Sequence, residues 1–232
     1  MKITALPYYI TSLATLLTQT NFWNFSSILI NQQTVVKLPN SLQFYVSNPM
    51  DIWTLKELIL DQVYTKKHPI KKGDTVIDIG GSIGDFATYA EKTFQAKKVI
   101  SYELNLERIS LFKKNVQLNQ LRHVTLHEKP ALSLDEVFRE NTLSFCDFFK
   151  IDCEGGEYHI FDHASSKTLK NIQYIAMEIH RFDDIMKKAY PVFIDRLKKH
   201  GFTVEIIDNP VHNTIQYLYA KNTSYHPPKK RS

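Results

Sequence analysis

Four places in this sequence carry residue types that could act together on one ligand. The first is "DTVIDIGGSIGDF", Asp74 to Phe86, an apolar run with an acid, Asp78, followed by a loop of Gly80, Gly81, Ser82, Ile83 and Gly84. The second is Glu103, 19 residues past Gly84. The third is "KIDCEGGE", which spaces Lys150, Asp152, Glu154 and Glu157 around Gly155 and Gly156. The fourth is "MEIH", with Glu178 and His180. Glycines let the main chain adopt conformations a Cβ would penalise and let a ligand approach it. A helix opening just after such a loop points free N–H groups at the same spot. An acid at the end of the next strand is placed to accept two ribose hydroxyls. The chemistry implied is the binding of a ribose-bearing ligand beside a group of carboxylates and one imidazole.

Other readings of the loop fit less well. Gly80 to Gly84 is literally a G-x-S-x-G string, the turn that presents a nucleophilic serine in α/β hydrolases, and Asp208 and His212 follow in the order such a triad needs. That turn normally lies after several strands, whereas here it follows the first strand of the repeating unit. The dinucleotide fingerprint G-x-G-x-x-G is broken by Ser82, and the Gly-Lys-Ser/Thr of a phosphate loop is absent.

The elements that must position these residues follow from periodicity. Residues 8–20 read as a short helix. Residues 34–38 and 42–46 alternate around Pro39-Asn40-Ser41, which predicts a β-hairpin with Val36, Leu38, Leu42, Phe44 and Val46 on one face. "DIWTLKELILDQVY", Asp51 to Tyr64, puts Ile52, Leu55, Leu58, Ile59 and Val63 on one helical face, with Asp51 as its cap. From Asp74 strands and helices alternate: strands at 75–79, 98–102, 123–127, 148–152 and 172–179, helices at 86–94, 106–118 and near 190–200. A Ser133…Glu136 capping box opens a short helix through Phe138. This alternation predicts an α/β fold with a mostly parallel sheet covered on both faces. Strands at 202–207 and 215–220 are separated by too few residues for a crossover, so they form an antiparallel hairpin, giving seven strands. In such a sheet ligands sit beyond the carboxyl ends of the strands, where all four acidic places fall.

Composition sets the remaining bounds. The chain has 232 residues, with 43% hydrophobic and 23% charged residues and a formal net charge of +5. That suits one α/β domain and a small appendage. The predicted organisation is an N-terminal cap over 1–66, a ligand-binding domain over 67–222 and a disordered basic tail over 223–232. Lysine pairs such as Lys66-Lys67, Lys97-Lys98 and Lys198-Lys199 are scattered rather than clustered with aromatics, which predicts a solvated surface and no nucleic-acid partner. Cys146 and Cys153 form neither a CxxC nor a metal-ligand spacing and read as small apolar residues in a reducing compartment, so the expected location is cytoplasmic. No apolar run reaches membrane-spanning length, and the start lacks a signal-peptide cleavage pattern. No acid precedes Asp51, consistent with a packed cap or a docking segment.

"DTVIDIGGSIGDF", "SYELN", "SLDEVF", "DFFKIDCEGGEYHIF" and "IAMEIH" occur in an order and spacing that resemble the FkbM-type S-adenosylmethionine-dependent methyltransferases, from about Tyr64 to His180. The resemblance implies a Rossmann-like class I methyltransferase fold, whose sheet characteristically ends in an antiparallel hairpin. It implies S-adenosylmethionine as cofactor, held by Asp78, Gly80, Gly81, Ser82, Gly84, Glu103, Leu104 and Asp152. Leu104 stands where many members have proline, and the connection before "SLDEVF" is shorter than in relatives.

Methyl transfer from a sulfonium requires alignment of acceptor, methyl carbon and sulfur. A hydroxyl acceptor also needs a base, and the candidates are His180, Asp152, Glu178 and Glu154. His180 is the natural base near neutral pH, with a purely structural imidazole as its alternative. Glu154 with its two glycines also reads as a turn shaping the pocket. Asp152 is assigned to cofactor or acceptor rather than to a metal, and no metal is assigned, although these oxygens and His180 could make one. The expected activity is O-methylation of a small hydroxylated acceptor such as a sugar or glycan. A non-catalytic binding or assembly protein on the same fold, and an NAD-dependent oxidoreductase, are the alternatives. Oligomeric state is not encoded in any motif.

Overall fold

A computed structural model describes residues 5–21 and 33–225. The predicted tail lies mostly outside these. The N-terminal part comprises α1 (Leu6–Gln19), β1 (Thr34–Lys37), β2 (Gln43–Val46) and α2 (Pro49–Leu55). The hairpin forms as its alternation predicts, with Thr34 opposite Val46, and all five residues of the predicted face are buried. Helix α2 begins earlier than its pattern suggests. Asn48, not Asp51, is the N-cap, and Asp51 sits at the third helical position, its carboxylate reaching back to the Ser47 and Asn48 N–H groups. The helix ends in a π-turn, Lys56–Leu60.

The main sheet runs β5 (Val124–His127), β4 (Lys98–Tyr102), β3 (Thr75–Ile79), β6 (Cys146–Ile151), β7 (Ile172–His180), β9 (Ile215–Asn222), β8 (Phe202–Asp208). The first five are mutually parallel, and β9 runs antiparallel to both neighbours, its pairing with β8 being the predicted hairpin. The chain order reverses beside β3, which makes the carboxyl ends of β3, β4, β6 and β7 the natural binding crevice. β3 is buried along its whole length, as befits a strand covered on both faces.

Helices α3 (Asp85–Phe94) and α4 (Leu106–Leu118) pack with the N-terminal elements on one face of the sheet. Helices α5 (Leu134–Glu140), α6 (Glu157–Asp162), α7 (Ser166–Lys170) and α8 (Asp184–Lys199) belong to the other. The two short helices α6 and α7 carry too little periodicity to be read from sequence. Helix α8 starts at Asp184, capped by Asp183, rather than near Tyr190, and runs across Pro191. Ser133 caps α5 through the Glu136 N–H. Cys146 is buried and Cys153 half-buried, both as free thiols. No described helix is long and apolar enough to cross a membrane.

Strand parity decides which side chains meet. Val76, Phe148 and Ala176 point to the face covered by the N-terminal elements, while Ile77, Phe149, Ile175 and Met177 point to the other. With period 2, Asp78, Lys150, Asp152, Glu178 and His180 all share the former's parity. The N-terminal elements therefore do not stand apart. Phe44, Leu55 and Tyr64 share one core with Phe86, Phe112 and Phe148.

Two asparagines stitch the hairpin to α4. The fully buried Asn115 side chain accepts from the Tyr45 N–H at 2.7 Å and donates to the carbonyls of Tyr45 at 3.2 Å and Ile83 at 2.8 Å. Asn119, one turn on, brackets Gln43 in the same way. Replacing Asn115 by alanine leaves three buried main-chain groups without partners. Asn115→Ala is expected to cost about 3 kcal/mol in urea unfolding; a loss below about 1 kcal/mol would mean that the hairpin is held by its apolar face alone.

Candidate active site

Asp78 and Lys150 are register partners on β3 and β6, and both are buried. The Lys150 ammonium lies 3.1 Å from Asp78 Oδ1, and Ser101 donates to Asp78 Oδ2 at 3.0 Å. Lys150 also donates to the Gly80 carbonyl at 2.7 Å. Burial works against the lysine's charge, yet Asp78, Asp152 and Asp85 together hold its pKa above the ordinary value. Burial pushes Asp78 upward, with Lys150 opposing. Asp78 thus acts on the loop through Lys150 and does not open onto the cleft.

The loop is a tight main-chain crossing. Gly80 has φ +78°, and a Cβ there would lie 1.8 Å from the Asp152 carbonyl oxygen. A Cβ on Gly84, at φ +80°, would press on the Phe112 ring at 3.1 Å. The space that these glycines leave open is filled by the protein's own atoms, which brings the β3 loop against the end of β6. Gly81 is close to the same Phe112 ring. Ser82 is left-handed at φ 46°, a conformation that costs a non-glycine residue roughly 1 kcal/mol. Its N–H is anchored to Glu103 Oε2 at 2.7 Å.

Glu103 follows β4 and uses its other oxygen, Oε1, to accept from the N–H groups of Leu104 at 2.9 Å and Asn105 at 2.8 Å. Its carboxylate is thereby fixed at the crevice between the loop and the start of α4. Leu104 is 66% exposed, an apolar surface beside that acid. A half-buried carboxylate clamped by three backbone donors next to a left-handed loop suits a ribose diol, so the residues present fit a nucleoside cofactor.

Asp152, Glu154, Glu178 and His180 converge at the ends of β6 and β7. His180 is 1% exposed, and its Nδ1 is 2.9 Å from Glu157 Oε1. Glu157, wholly buried at the start of α6, also accepts the Cys153 N–H. Nε2 then faces Glu178 Oε1 at 3.7 Å, Glu154 Oε2 at 3.8 Å and Asp152 Oδ1 at 3.9 Å. Burial alone would lower the His180 pKa, but the Glu157 hydrogen bond and the surrounding carboxylates raise it. Glu178 is pushed up to about 9, first by burial and then by Asp152, Glu57 and Glu154. Asp152 Oδ2 accepts from the buried Tyr64 hydroxyl at 2.8 Å. Glu154, 80% exposed, sits at the left-handed turn before Gly155, at the rim.

A cleft of about 650 Å³ opens over this group, walled by Tyr9, Trp53, Glu57 and Tyr64 from the N-terminal elements and by Asp152 and Glu178 from the sheet. The sequence reading brought together Asp152, Glu154, Glu178 and His180, and the structure does too. It gave no role to Trp53, Glu57 and Tyr64, which share the Asp51–Tyr64 pattern, or to Tyr9, which lies in the separate helix α1. It also gave no role to Lys150 or Glu157. The hydrolase reading fails on topology: Asp208 ends β8, four strand positions from β3, roughly 19 Å from Ser82 at ordinary strand spacing.

Two domain models match the chain. The FkbM methyltransferase domain matches residues 122–204 and the TRM5/TYW2 methyltransferase domain matches residues 61–138. The chain has the class I methyltransferase fold, and both matching domain models are methyltransferase domains, which together span residues 61–204. The FkbM match carries the later acidic motifs, and the glycine loop and Glu103 fall in the other. No curated protein sequence matches the chain significantly. Among solved structures, a putative rRNA methylase from Clostridium thermocellum aligns at 16% identity and TM-score 0.53, covering 68% of this chain and 90% of its own. M. jannaschii TYW2, solved with AdoMet, aligns at 15% identity and TM-score 0.51, covering 82% of this chain and 84% of its own. M. capricolum TrmK, solved with S-adenosylhomocysteine, aligns at 16% identity and TM-score 0.50, covering 73% and 71% respectively. At these identities the likeness is one of fold.

Asp85 opens α3, fully buried, and burial raises its pKa to about 7, with Asp78 adding and Lys150 opposing. A carboxyl raised on folding stabilises the fold while protonated. That contribution is lost as pH rises from the unfolded value near 4 through about 7. Asp85→Asn should therefore gain stability relative to the natural protein between pH 5 and pH 8. Equal stability differences at the two pH values would show that Asp85 is ionised throughout.

Proposed function

We propose that the protein methylates a hydroxyl of a small polyhydroxylated acceptor, such as a sugar or glycan. The observation that carries this reading is the cleft itself. Trp53, Tyr9 and Tyr64 offer ring faces, and Glu57, Asp152, Glu154 and Glu178 offer hydroxyl acceptors around the buried imidazole. Rings that stack on a sugar's C–H face and acids that receive its hydroxyls are what a carbohydrate needs.

The cofactor supplies an electrophilic methyl group on a sulfonium. Glu103 would receive its ribose, the loop from Gly80 to Gly84 would cradle its amino-acid part, and Leu104 would cover one side of its base. Asp152, at the junction of loop and cleft, separates cofactor from acceptor. The barrier to O-methylation falls when the hydroxyl proton has somewhere to go, and the Asp152–Glu178–His180 group is the place for it. Glu157 keeps the imidazole in one orientation.

An RNA acceptor is the second reading, favoured by the match to the TRM5/TYW2 domain and by the solved relatives that are RNA methylases. The acidic mouth weighs against it, because phosphates would meet the exposed Glu154 at the rim and Glu57 in the wall.

Radiolabelled methyl transfer to monosaccharides, oligosaccharides and total RNA separates the two. Label in RNA alone would overturn the sugar reading. In calorimetry Glu103→Ala should weaken S-adenosylhomocysteine binding by tenfold or more, on the order of one or two charged hydrogen bonds. His180→Ala should leave that affinity within twofold and slow turnover by about 10²-fold. Unchanged turnover would remove His180 from the chemistry.

A further inference from the structure

The imidazole at the cleft floor is arranged as a metal ligand. Its Nδ1 is held by a buried carboxylate, Glu157, which in turn is held by the Cys153 N–H. That leaves Nε2 facing the carboxylates of Glu178, Glu154 and Asp152, which line the cleft, at 3.7–3.9 Å, beyond hydrogen-bond reach. Carboxylate–histidine pairs of this kind fix the tautomer and aim the free nitrogen at a cation. Asp152, Glu178 and His180 each offer one ligand atom, all within 4.8 Å of one another. Tetrahedral ligand atoms about 2.1 Å from a cation lie roughly 3.4 Å apart, so binding would draw the widest pair of these atoms together by about an ångström or somewhat more. Charge points the same way. Among the described residues, the ion pairs of Glu178 and Glu154 are both to this one imidazole. Glu57 lines the same cleft and adds to the negative field at Glu178.

We propose that Asp152, Glu178 and His180 bind a divalent transition-metal cation, with Glu154 at the rim as an auxiliary ligand. Mixed imidazole and carboxylate donors suit Mn²⁺ or Zn²⁺ better than Ca²⁺. Three protein ligands leave coordination positions facing the cleft. Those positions would take water or the oxygens of a hydroxylated acceptor, whose hydroxyl then loses its proton more readily. The inference rests on the methyltransferase reading only for that last role. It departs from the sequence reading, which assigned no metal. With a cation bound, His180 serves as a ligand, and the acceptor's proton leaves from a metal-held hydroxyl to the neighbouring carboxylates or solvent.

The test uses Mn²⁺ itself on the full chain, stripped with EDTA and dialysed. Loss of the free aqueous Mn²⁺ signal in electron paramagnetic resonance counts bound ion. One saturable site is expected. Glu178→Gln and His180→Asn should weaken it at least tenfold, and Glu157→Gln, which holds His180 but offers no ligand atom itself, about tenfold. Glu107→Gln, on exposed α4, should change nothing. Absence of saturable binding by the natural protein up to about 1 mM Mn²⁺, or equal binding by all variants, would overturn the proposal. S-adenosylhomocysteine calorimetry on the same samples keeps the two readings apart. Cofactor binding without Mn²⁺ binding removes the metal alone, and loss of cofactor binding in the natural protein removes the methyltransferase reading.

Discussion

The buried pair of Asp78 and Lys150 governs the rest of the site. It joins two adjacent parallel strands at their carboxyl ends, and the ammonium also donates to the Gly80 carbonyl. Two buried charges gain little net stability over an apolar pair, but removing one partner strands the other at a cost of about 3–5 kcal/mol. What the pair secures is position. It fixes the β3 loop to the end of β6, so that Glu103, which that loop anchors, keeps one spacing from the acids beyond β6 and β7. The glycines at 80 and 84 follow from the same constraint, since only residues without a Cβ allow the Asp152 carbonyl and the Phe112 ring so close.

The charge distribution of the molecule is divided. Its net charge is positive, yet the cleft gathers Glu57, Asp152, Glu154 and Glu178. Such a concentration of like charge is unfavourable unless something relieves it, and it adds to burial, the main cause, in raising the pKa of Glu178. Protons relieve it in part, and an acceptor or cation can relieve it further. The aromatic wall lowers the local dielectric and sharpens both effects. The N-terminal elements therefore belong to the site, supplying one wall of the cleft.

Much of this was legible in the sequence for physical reasons. The mostly parallel sheet and its antiparallel ending follow from alternation and connection length, whereas the order of the strands does not. The hairpin follows from five apolar residues at period 2. Glu103, Asp152, Glu178 and His180 are legible because strand ends of an open sheet converge. Tyr64 and Glu57 are not, because their approach to Asp152 and Glu178 depends on how a capping helix docks, which no local pattern encodes. Lys150 reads as one more lysine until strand register puts it beside Asp78. Helices α6 and α7 are too short to leave a period, yet α6 carries Glu157, which orients the imidazole. The start of α2 was misplaced because Asp51 can serve either as cap or as the third residue of a capping box, and Asn48 decides between them.

The Asn115 side chain holds the hairpin backbone at Tyr45 and the cofactor-loop backbone at Ile83 with one amide. The acceptor wall and the cofactor loop are thus not independent bodies. Any ligand that settles the loop also settles the platform from which Trp53 and Tyr9 extend. Such a coupling is reciprocal: whichever of two ligands settles its own part of the pocket changes the affinity for the other by the same factor.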